Sequence, residues 1–561
     1  MAMLSVPGLE PVVRSVTIPA AVAGLGAHLL CRTWEPTVTQ FFAQLSIFAV
    51  VSAYVSSQLA ALSSAELVIS TLCALTVYLA VLGVSIGLYR LFYHPLRSYP
   101  GPVLCKLTRF VATWHIMKRD SPFWIMELHR QYGDVVRVSP NELSYASASS
   151  VDKIHGAKAG RLARGPFYSG DPNRPADSML STQNIAEHRW RRRGWERGFA
   201  PAQLREYEPR VMRHLDTLLA QLRERVNGTI DMTQWCEFFT YDVMSDLAFS
   251  EDFGMLAEGK PHRYISALHG SSRILVLAAQ TPWIRPLMQL FPVDRQTKVD
   301  GKEFAAISRA TYERRRARNV DQADLFGFLS GGEVNGTRRL TEPELIADTS
   351  LLIAAGAVST ALCMTFVFSH LCDNQAHLDR VCSEIDRCWD GVSPLQASMF
   401  APGEAPFLNG VIHESLRLWP PAPNGMQRRT PQGGCIIDEK MVPAATQVSV
   451  HTMTIMRDER FFSKPDKFIP ERWIDEERPN DFNHDTRAFV PFTVGQYACL
   501  GKNLAFQEIR LFVSRVLREF DITYPKDYSS GPFYRDIVFK GTLKVGRLPI
   551  VITKRDEMTL K

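Results

Sequence analysis

Phe492-Thr-Val-Gly495-Gln-Tyr497-Ala-Cys499-Leu-Gly501 is the stretch whose reading decides the fold. One cysteine is framed by a Phe seven residues before it, a Gly four before and a Gly two after. That spacing suits the presentation of a single thiolate to a metal. The glycines permit a tight loop whose backbone N–H groups approach the sulfur and tune the metal. Phe492 can pack beside the sulfur and keep water away from it. A helical run from Asn503 to Phe512 follows. It places the thiolate near a helix N-terminus, which favours negative charge.

Upstream segments carry further patterns. In Phe407-Leu-Asn-Gly-Val-Ile-His-Glu414-Ser-Leu-Arg417-Leu-Trp-Pro420-Pro421, Glu414 and Arg417 share one helical face, and the Pro pair ends the helix. Phe468-Ile-Pro470-Glu471-Arg472-Trp473 lies between it and the cysteine loop. The apolar run Leu351-Leu-Ile-Ala-Ala355-Gly356-Ala-Val358-Ser359-Thr360-Ala-Leu has small residues and two hydroxyls in its middle. Such a run also suits a plain buried helix with Ser and Thr bonded to preceding carbonyls. In Glu187-His188-Arg189-Trp190-Arg191-Arg192-Arg193, His188 and Arg192 share a helical face.

In this order the motifs resemble the cytochrome P450 family, in particular its membrane-bound fungal type, over roughly residues 95–555. The resemblance implies a mainly α fold with a smaller β region, built around heme b (iron protoporphyrin IX). Cys499 is then the axial iron ligand, with Phe492 and Gly501 framing it. Glu414, Arg417 and Arg472 match a buried charged triad that holds the heme-loop scaffold. Gly356 matches the point where the oxygen-side helix opens beside the heme. Ser359 matches the hydroxyl that helps deliver protons, and Thr360 can share the task. His188, Arg192 and Arg428 match contacts to the heme carboxylates, with Arg429 a rival to Arg428. By family position, residues 165–182 and 274–291 line and cover the substrate pocket.

Two positions depart from the family pattern. Val358 stands where an acid is expected, and a Val cannot relay protons. Tyr497 stands where Arg or His is usual and brings no charge, so the heme carboxylates lean on Arg192 and Arg428.

The 561 residues are 46% hydrophobic and 22% charged with net charge +6, which suits a globular protein with a membrane segment and says little about partners. Length alone suggests several domains. The motifs, however, run from His188 to Gly501 and must converge on one cofactor. The expected organisation is an anchor region 1–92, a Pro-rich hinge 93–102 containing Tyr99-Pro100-Gly101-Pro102, and one catalytic domain, 103–561. Residues 67–89 form the strongest membrane span and 41–62 a second candidate. Residues 16–31 are a weak one, being short and holding Pro19 and two glycines. A cleavable signal fits poorly without a basic start. Arg90, His94, Arg97, Lys106 and Arg109 follow the strongest span, which by the positive-inside rule puts the catalytic domain in the cytosol. The resemblance makes that the cytosolic face of the endoplasmic reticulum.

Periodicity predicts helices over residues 202–226, 342–372, 378–389 and 503–519, and strands over 135–138, 447–450 and 548–553. The ten cysteines show no paired metal spacing and stay reduced in a cytosolic domain. The sequons at Asn227 and Asn335 would go unused there. The Arg191–Arg193 run has no aromatic-basic platform beside it, so nucleic acid is not expected.

The function expected is a heme-thiolate monooxygenase acting on a lipophilic small molecule, with a terpenoid, polyketide or alkaloid of specialised metabolism as the class. No flavin or nicotinamide domain is readable, so NADPH-derived electrons come from a separate cytochrome P450 reductase, with cytochrome b5 a possible second donor. Membrane lipid is the other partner. One alternative is an atypical heme-thiolate reaction, such as isomerisation, dehydration, desaturation or oxidative coupling, motivated by Val358. The other is a non-catalytic heme-binding membrane protein.

Overall fold

Three apolar helices, Leu9–Cys31, Val38–Leu59 and Ser64–Leu88, open the chain in this computed structural model. The structure describes residues 9–32, 36–59, 61–159, 161–169, 176–281, 295–318, 323–331 and 339–555. The sequence ranks the first helix weakest, but it forms and carries an 18-residue apolar window, Arg14–Cys31. Two features reconcile its composition with that outcome. Pro19 is tolerated as in other membrane-type helices. Gly24 lets the backbone approach the third helix, since a Cβ there would lie 2.6 Å from the Tyr78 carbonyl oxygen. Buried Ser56 and Ser70 hydroxyls join the second and third helices at 2.8 Å. The second candidate is shifted a few residues from 41–62, to Val38–Leu59, and Ser63 with Glu66 forms a capping box that starts the third helix.

Beyond these three helices the chain is mainly helical. The predicted helices are observed as Pro201–Arg223, Glu342–Asp373, Gln375–Cys388 and Lys502–Glu519. The amphipathic Pro201–Arg223 helix buries Leu215, Leu218, Leu219 and Leu222 along one face. Met232–Phe249 is buried on nearly every side. A helix without a polar face has no period for the sequence to display. Glu342–Asp373 starts at a second capping box, Thr341 with Glu344. It is long and apolar enough to cross a membrane, yet most of it is buried inside the protein. It packs on Met232–Phe249 and on Lys502–Glu519, forming the main core.

A five-stranded sheet has the order Val135–Ser139, Glu142–Tyr145, Gln447–Val450, Arg428–Arg429, Ala163–Arg164. The Glu142–Tyr145 and Gln447–Val450 strands pair in parallel and the other neighbours are antiparallel. A three-stranded sheet joins Thr229–Asp231, Pro549–Lys554 and Phe520–Thr523. Gly101, at φ +145°, approaches the sheet so closely that a Cβ would meet the Arg137 carbonyl oxygen at 2.6 Å.

Candidate functional site

The cysteine loop is held by its own backbone and by a neighbour. Cys499 N–H donates to the Phe492 carbonyl at 2.9 Å. Gly495 adopts φ +72°, and a Cβ there would lie 2.1 Å from the His155 carbonyl oxygen, so only glycine fits. Gly501 caps the Lys502–Glu519 helix. A Cβ on it would sit 3.9 Å from the Cys499 sulfur, filling the space beside it. Burial raises the Cys499 thiol above its ordinary value. The N–H groups of Gly501 and Lys502 and the charges of Arg192 and Lys502 pull the other way. Coordination by a metal deprotonates such a thiol outright. Phe492 packs against Phe506 with the rings tilted at 45° and 5.5 Å between their centres, and both Phe492 and Cys499 line the main cavity.

Glu414, Arg417 and Arg472 meet in a fully buried cluster. Arg417 binds Glu414 through two 2.8 Å bonds, a bidentate fork. Arg472 Nε donates to the same carboxylate at 3.0 Å, as do Ile469 N–H at 3.0 Å and Trp473 Nε1 at 2.9 Å. The spare guanidinium protons go to the carbonyls of Met456, Pro465, Lys467 and Ser463. Burial alone would raise the Glu414 carboxyl, but Arg417, Arg472 and the Ile469 N–H outweigh it and hold the group below the usual range. Trp473 is a member that sequence reasoning left without a role.

A second group of buried cations surrounds Tyr497. Arg428 lies 4.2 Å and Arg164 4.8 Å from the centre of the Tyr497 ring, and the His188 ring lies 4.4 Å away. Arg192 Nη1 donates to the Ala498 carbonyl at 2.7 Å, and its Nε to Glu196 at 2.8 Å. Arg164 and Arg428 are direct cross-strand partners. Like charges so placed repel unless an anion joins them. The Nε atoms of both arginines and the Tyr497 hydroxyl are buried without a hydrogen-bond partner. Burial, then Arg164, pushes His188 down to about 3, so it is neutral at pH 7. Burial also lowers Arg164, to about 10. This donor set fits two carboxylates of a ligand that the chain itself does not provide. Arg164 was not anticipated, and its only signal is the register of a two-residue strand. Arg429, the rival to Arg428, is exposed. Arg191 turns inward to Glu187, Glu344 and the Asp177 carbonyl.

The cavity has a volume of about 570 Å³, within the range of small-molecule sites. Cys499, Arg164, His188, Arg192 and Tyr497 form part of its wall, and Ala355, Gly356, Ser359 and Thr360 another part. The helix is continuous through Gly356. A Cβ there would meet Met244 Sδ at 2.6 Å, so a larger residue would need the flexible Met244 side chain to shift. The Ser359 and Thr360 hydroxyls donate to the carbonyls four residues back, of Ala355 at 2.8 Å and Gly356 at 2.9 Å. Val358 packs into the core and is not among the cavity-lining residues. Of residues 165–182, Phe167, Tyr168, Met179 and Leu180 reach the cavity, while 170–175 lie outside the described residues. Of residues 274–291, Gln280 reaches it, and 282–291 lie outside the described residues. Sequence reasoning also missed Glu508, a buried acid in the cavity wall.

Comparison with known proteins agrees with this geometry. The family model for cytochrome P450 matches residues 102–542. A cytochrome P450 monooxygenase of Fusarium pseudograminearum is 32% identical over 483 residues, covering 84% of each chain. Tryprostatin B 6-hydroxylase of Aspergillus fumigatus is 32% identical over 502 residues, 88% of this chain and 87% of that one. The crystal structure of the cytochrome P450DA heme domain superposes with a TM-score of 0.68 at 17% identity, over 80% of this chain and 96% of that one. The chain therefore belongs to the cytochrome P450 family, and is a monooxygenase of specialised metabolism that works with heme iron, O2, a reduced electron donor and a small-molecule substrate.

Proposed function

We propose that the cavity holds heme b on Cys499 and that the protein inserts one oxygen atom of O2 into a lipophilic terpenoid, polyketide or alkaloid. The observation that carries this reading is the convergence of one thiol and a carboxylate-seeking cation cluster on a largely apolar cavity. Bound there, the heme supplies the oxygen-activating redox chemistry. The chain supplies the rest. Cys499 ligates the iron. Arg164, Arg192 and Arg428 hold the propionates, while Tyr497 and neutral His188 add hydrogen bonds. Glu414, Arg417 and Arg472 keep the ligand loop in place. Ser359 and Thr360 hold hydroxyls at the cavity wall that move protons toward the reacting oxygen. Leu351, Leu352 and Phe167 exclude water and orient the substrate.

NADPH-derived electrons come from a separate membrane-bound reductase, with cytochrome b5 as a second donor. The anchor supports a placement in the endoplasmic reticulum membrane with the catalytic domain in the cytosol. His28 contacts Ser85, and Arg32 lies 4.5 Å over the Tyr89 ring, so the first and third helices run parallel. Arg32, Arg90, Arg97 and Lys106 then share one face of the membrane and Glu66 the other, which favours the cytosol for the basic side. Exposed Phe92, Val103, Leu104, Phe110, Trp114 and Met117 extend the apolar surface beside it.

A second reading, an atypical reaction without net oxygen insertion, is favoured by the absence of an acid at Val358. The experiment is expression with a reductase, feeding of candidate scaffolds and measurement of NADPH, O2 and product. A reduced carbon monoxide complex with a red-shifted, thiolate-type Soret band is expected, and Cys499→Ala should abolish it. Retention of the band would overturn the ligand, and turnover without NADPH or O2 would overturn the monooxygenase reading.

A further inference from the structure

The cavity-lining face of the oxygen-side helix runs through Leu352, Ala355 and Ser359, each about one turn from the next. Asp348 lies on the same face, one turn before Leu352. It is 0% exposed, yet it does not line the cavity. A turn at residues 177–182 meets it there. The Met179 N–H donates to Asp348 Oδ1 at 2.6 Å.

That turn closes through the N–H groups of Ser181 and Thr182, which both donate to the Ser178 carbonyl at 3.0 Å. Met179 and Leu180 line the cavity, and Leu180 is also exposed, so the turn is where the cavity wall meets solvent. Three buried charged residues from three elements hold it. Asp348 takes the Met179 N–H. Arg164 Nη1 donates to the Met179 carbonyl at 2.6 Å. Arg191, on the Ile185–Gly198 helix, donates to the Asp177 carbonyl at 2.7 Å and stands 3.6 Å from Asp348 Oδ2. The Trp195 side chain adds a bond to Asp348. Both polar backbone groups of one wall residue are thus fixed by charge-assisted bonds, the strong kind. Burial pushes the Asp348 carboxyl up to about 6, so at pH 7 the fold bears the cost of ionising it. A leucine, as at Leu352 on the same face, would avoid that cost and forfeit only the hold on Met179.

We propose that Asp348 is a positioning residue for the substrate. By fixing the Met179 peptide it holds the Met179 side chain as the stop against which the apolar end of a bound substrate packs, and so sets which carbon reaches the oxygen side of the cavity. The inference rests on the monooxygenase reading of the cavity. Asp348 precedes Ala355 by about two helical turns, which anchors Met179 about 10 Å along the helix axis from the small residues Ala355 and Gly356. A substrate that spans this distance meets Met179, and a shorter one does not.

The test compares two azoles that ligate heme iron through nitrogen and are read from the Soret shift. Imidazole needs only the iron, whereas the chain of N-dodecylimidazole is long enough to reach Met179. In the full-length heme protein, Asp348→Leu should keep heme content, the carbon monoxide band and imidazole affinity. Its affinity for N-dodecylimidazole should fall about 10-fold, the worth of one buried apolar side chain. Asp348→Asn keeps an acceptor for the Met179 N–H and should bind both azoles as wild type does. Met179→Ala should weaken the long azole alone, and adding it to Asp348→Leu should cost nothing more. Unchanged binding of the long azole by Asp348→Leu would overturn the proposal, as would full additivity of the two substitutions. Hydrogen exchange gives a reading independent of turnover. The Met179 amide should be protected in wild type and in Asp348→Asn, and should exchange freely in Asp348→Leu. Should Asp348→Leu fail to load heme, the wild-type amide and the Met179→Ala titration decide: rapid exchange at Met179, or a long-azole affinity that Met179→Ala leaves unchanged, overturns the assignment. Once a product is in hand, Asp348→Leu should shift the ratio of oxidised positions and Asp348→Asn should not. Absence of any product from wild type would count against the monooxygenase reading, and the azole and exchange results would still decide the role of Asp348.

Discussion

Arg417 and Arg472 are as deeply buried as Arg164 and Arg428, yet the two pairs are satisfied in opposite ways. The first pair receives its carboxylate from the chain, Glu414, with every Glu414 oxygen taken by at least two donors. The second pair sits face to face across a strand pair, with unpartnered Nε atoms and with the Tyr497 ring, its hydroxyl also unpartnered, 4.8 Å from Arg164 and 4.2 Å from Arg428. The same residue type thus builds a closed cluster in one place and an open one in the other. The closed cluster needs nothing from outside the chain. In the proposed function the open one is completed by the carboxylates of the heme.

The largest test of this contrast is Glu414→Ala. It leaves two guanidinium groups buried without their anion, which should destabilise the fold by about 3–5 kcal/mol. Unfolding midpoints with and without heme should both fall, and the carbon monoxide band should be lost. A variant that loads heme normally would break the comparison.

Arg164→Ala should behave differently. Without heme it relieves the repulsion with Arg428 while losing the 2.6 Å bond to the Met179 carbonyl, so the stability of the heme-free protein should move by less than about 1 kcal/mol. Heme affinity should fall about 10–100-fold, the worth of a hydrogen bond from a charged group. Heme titration and thermal unfolding of the heme-free protein measure the two effects separately. An unfolding loss as large as that of Glu414→Ala would make the two clusters one kind.

The closed cluster was largely legible in the sequence and the open one only in part, for a physical reason. Glu414 and Arg417 are three apart on one helix, and Gly495, Cys499 and Gly501 fall within one short loop. Those relations are short in sequence. Arg164 reaches Arg428 only through a two-residue strand pairing 264 positions away in the chain, by the difference of their numbers. Nothing near Arg164 marks that register. Met232–Phe249 was equally silent because burial on all sides removes the amphipathic period. The Leu9–Cys31 helix was underrated because Pro19 and Gly24 read as breakers, whereas Gly24 is the contact that lets it pack. Val358 was noticed as a substitution, but that it turns into the core could come only from the structure.

Asp348 lies between the two extremes and sharpens the contrast. Like Glu414 it is fully buried, but its donors are the Met179 N–H at 2.6 Å, a shared Arg191 at 3.6 Å and the Trp195 side chain. Arg191 is committed to Glu187 at 2.8 Å and Glu344 at 2.6 Å. Burial therefore dominates over Arg191 and the Met179 N–H, and the carboxyl is pushed up to about 6 from an ordinary 3.8. The folded state holds this proton more tightly than the unfolded chain does. The group's favourable contribution is thus complete below about pH 4 and is lost as pH rises through about 6. Asp348→Asn keeps an oxygen for the Met179 N–H and cannot ionise. Its stability relative to wild type should improve by about 2–3 kcal/mol between pH 4 and pH 7. Denaturant unfolding at several pH values would measure this. A flat difference would mean that Arg191 compensates Asp348 as fully as Arg417 and Arg472 compensate Glu414. A buried carboxylate in this protein would then need only one shared arginine to be held in its charged form.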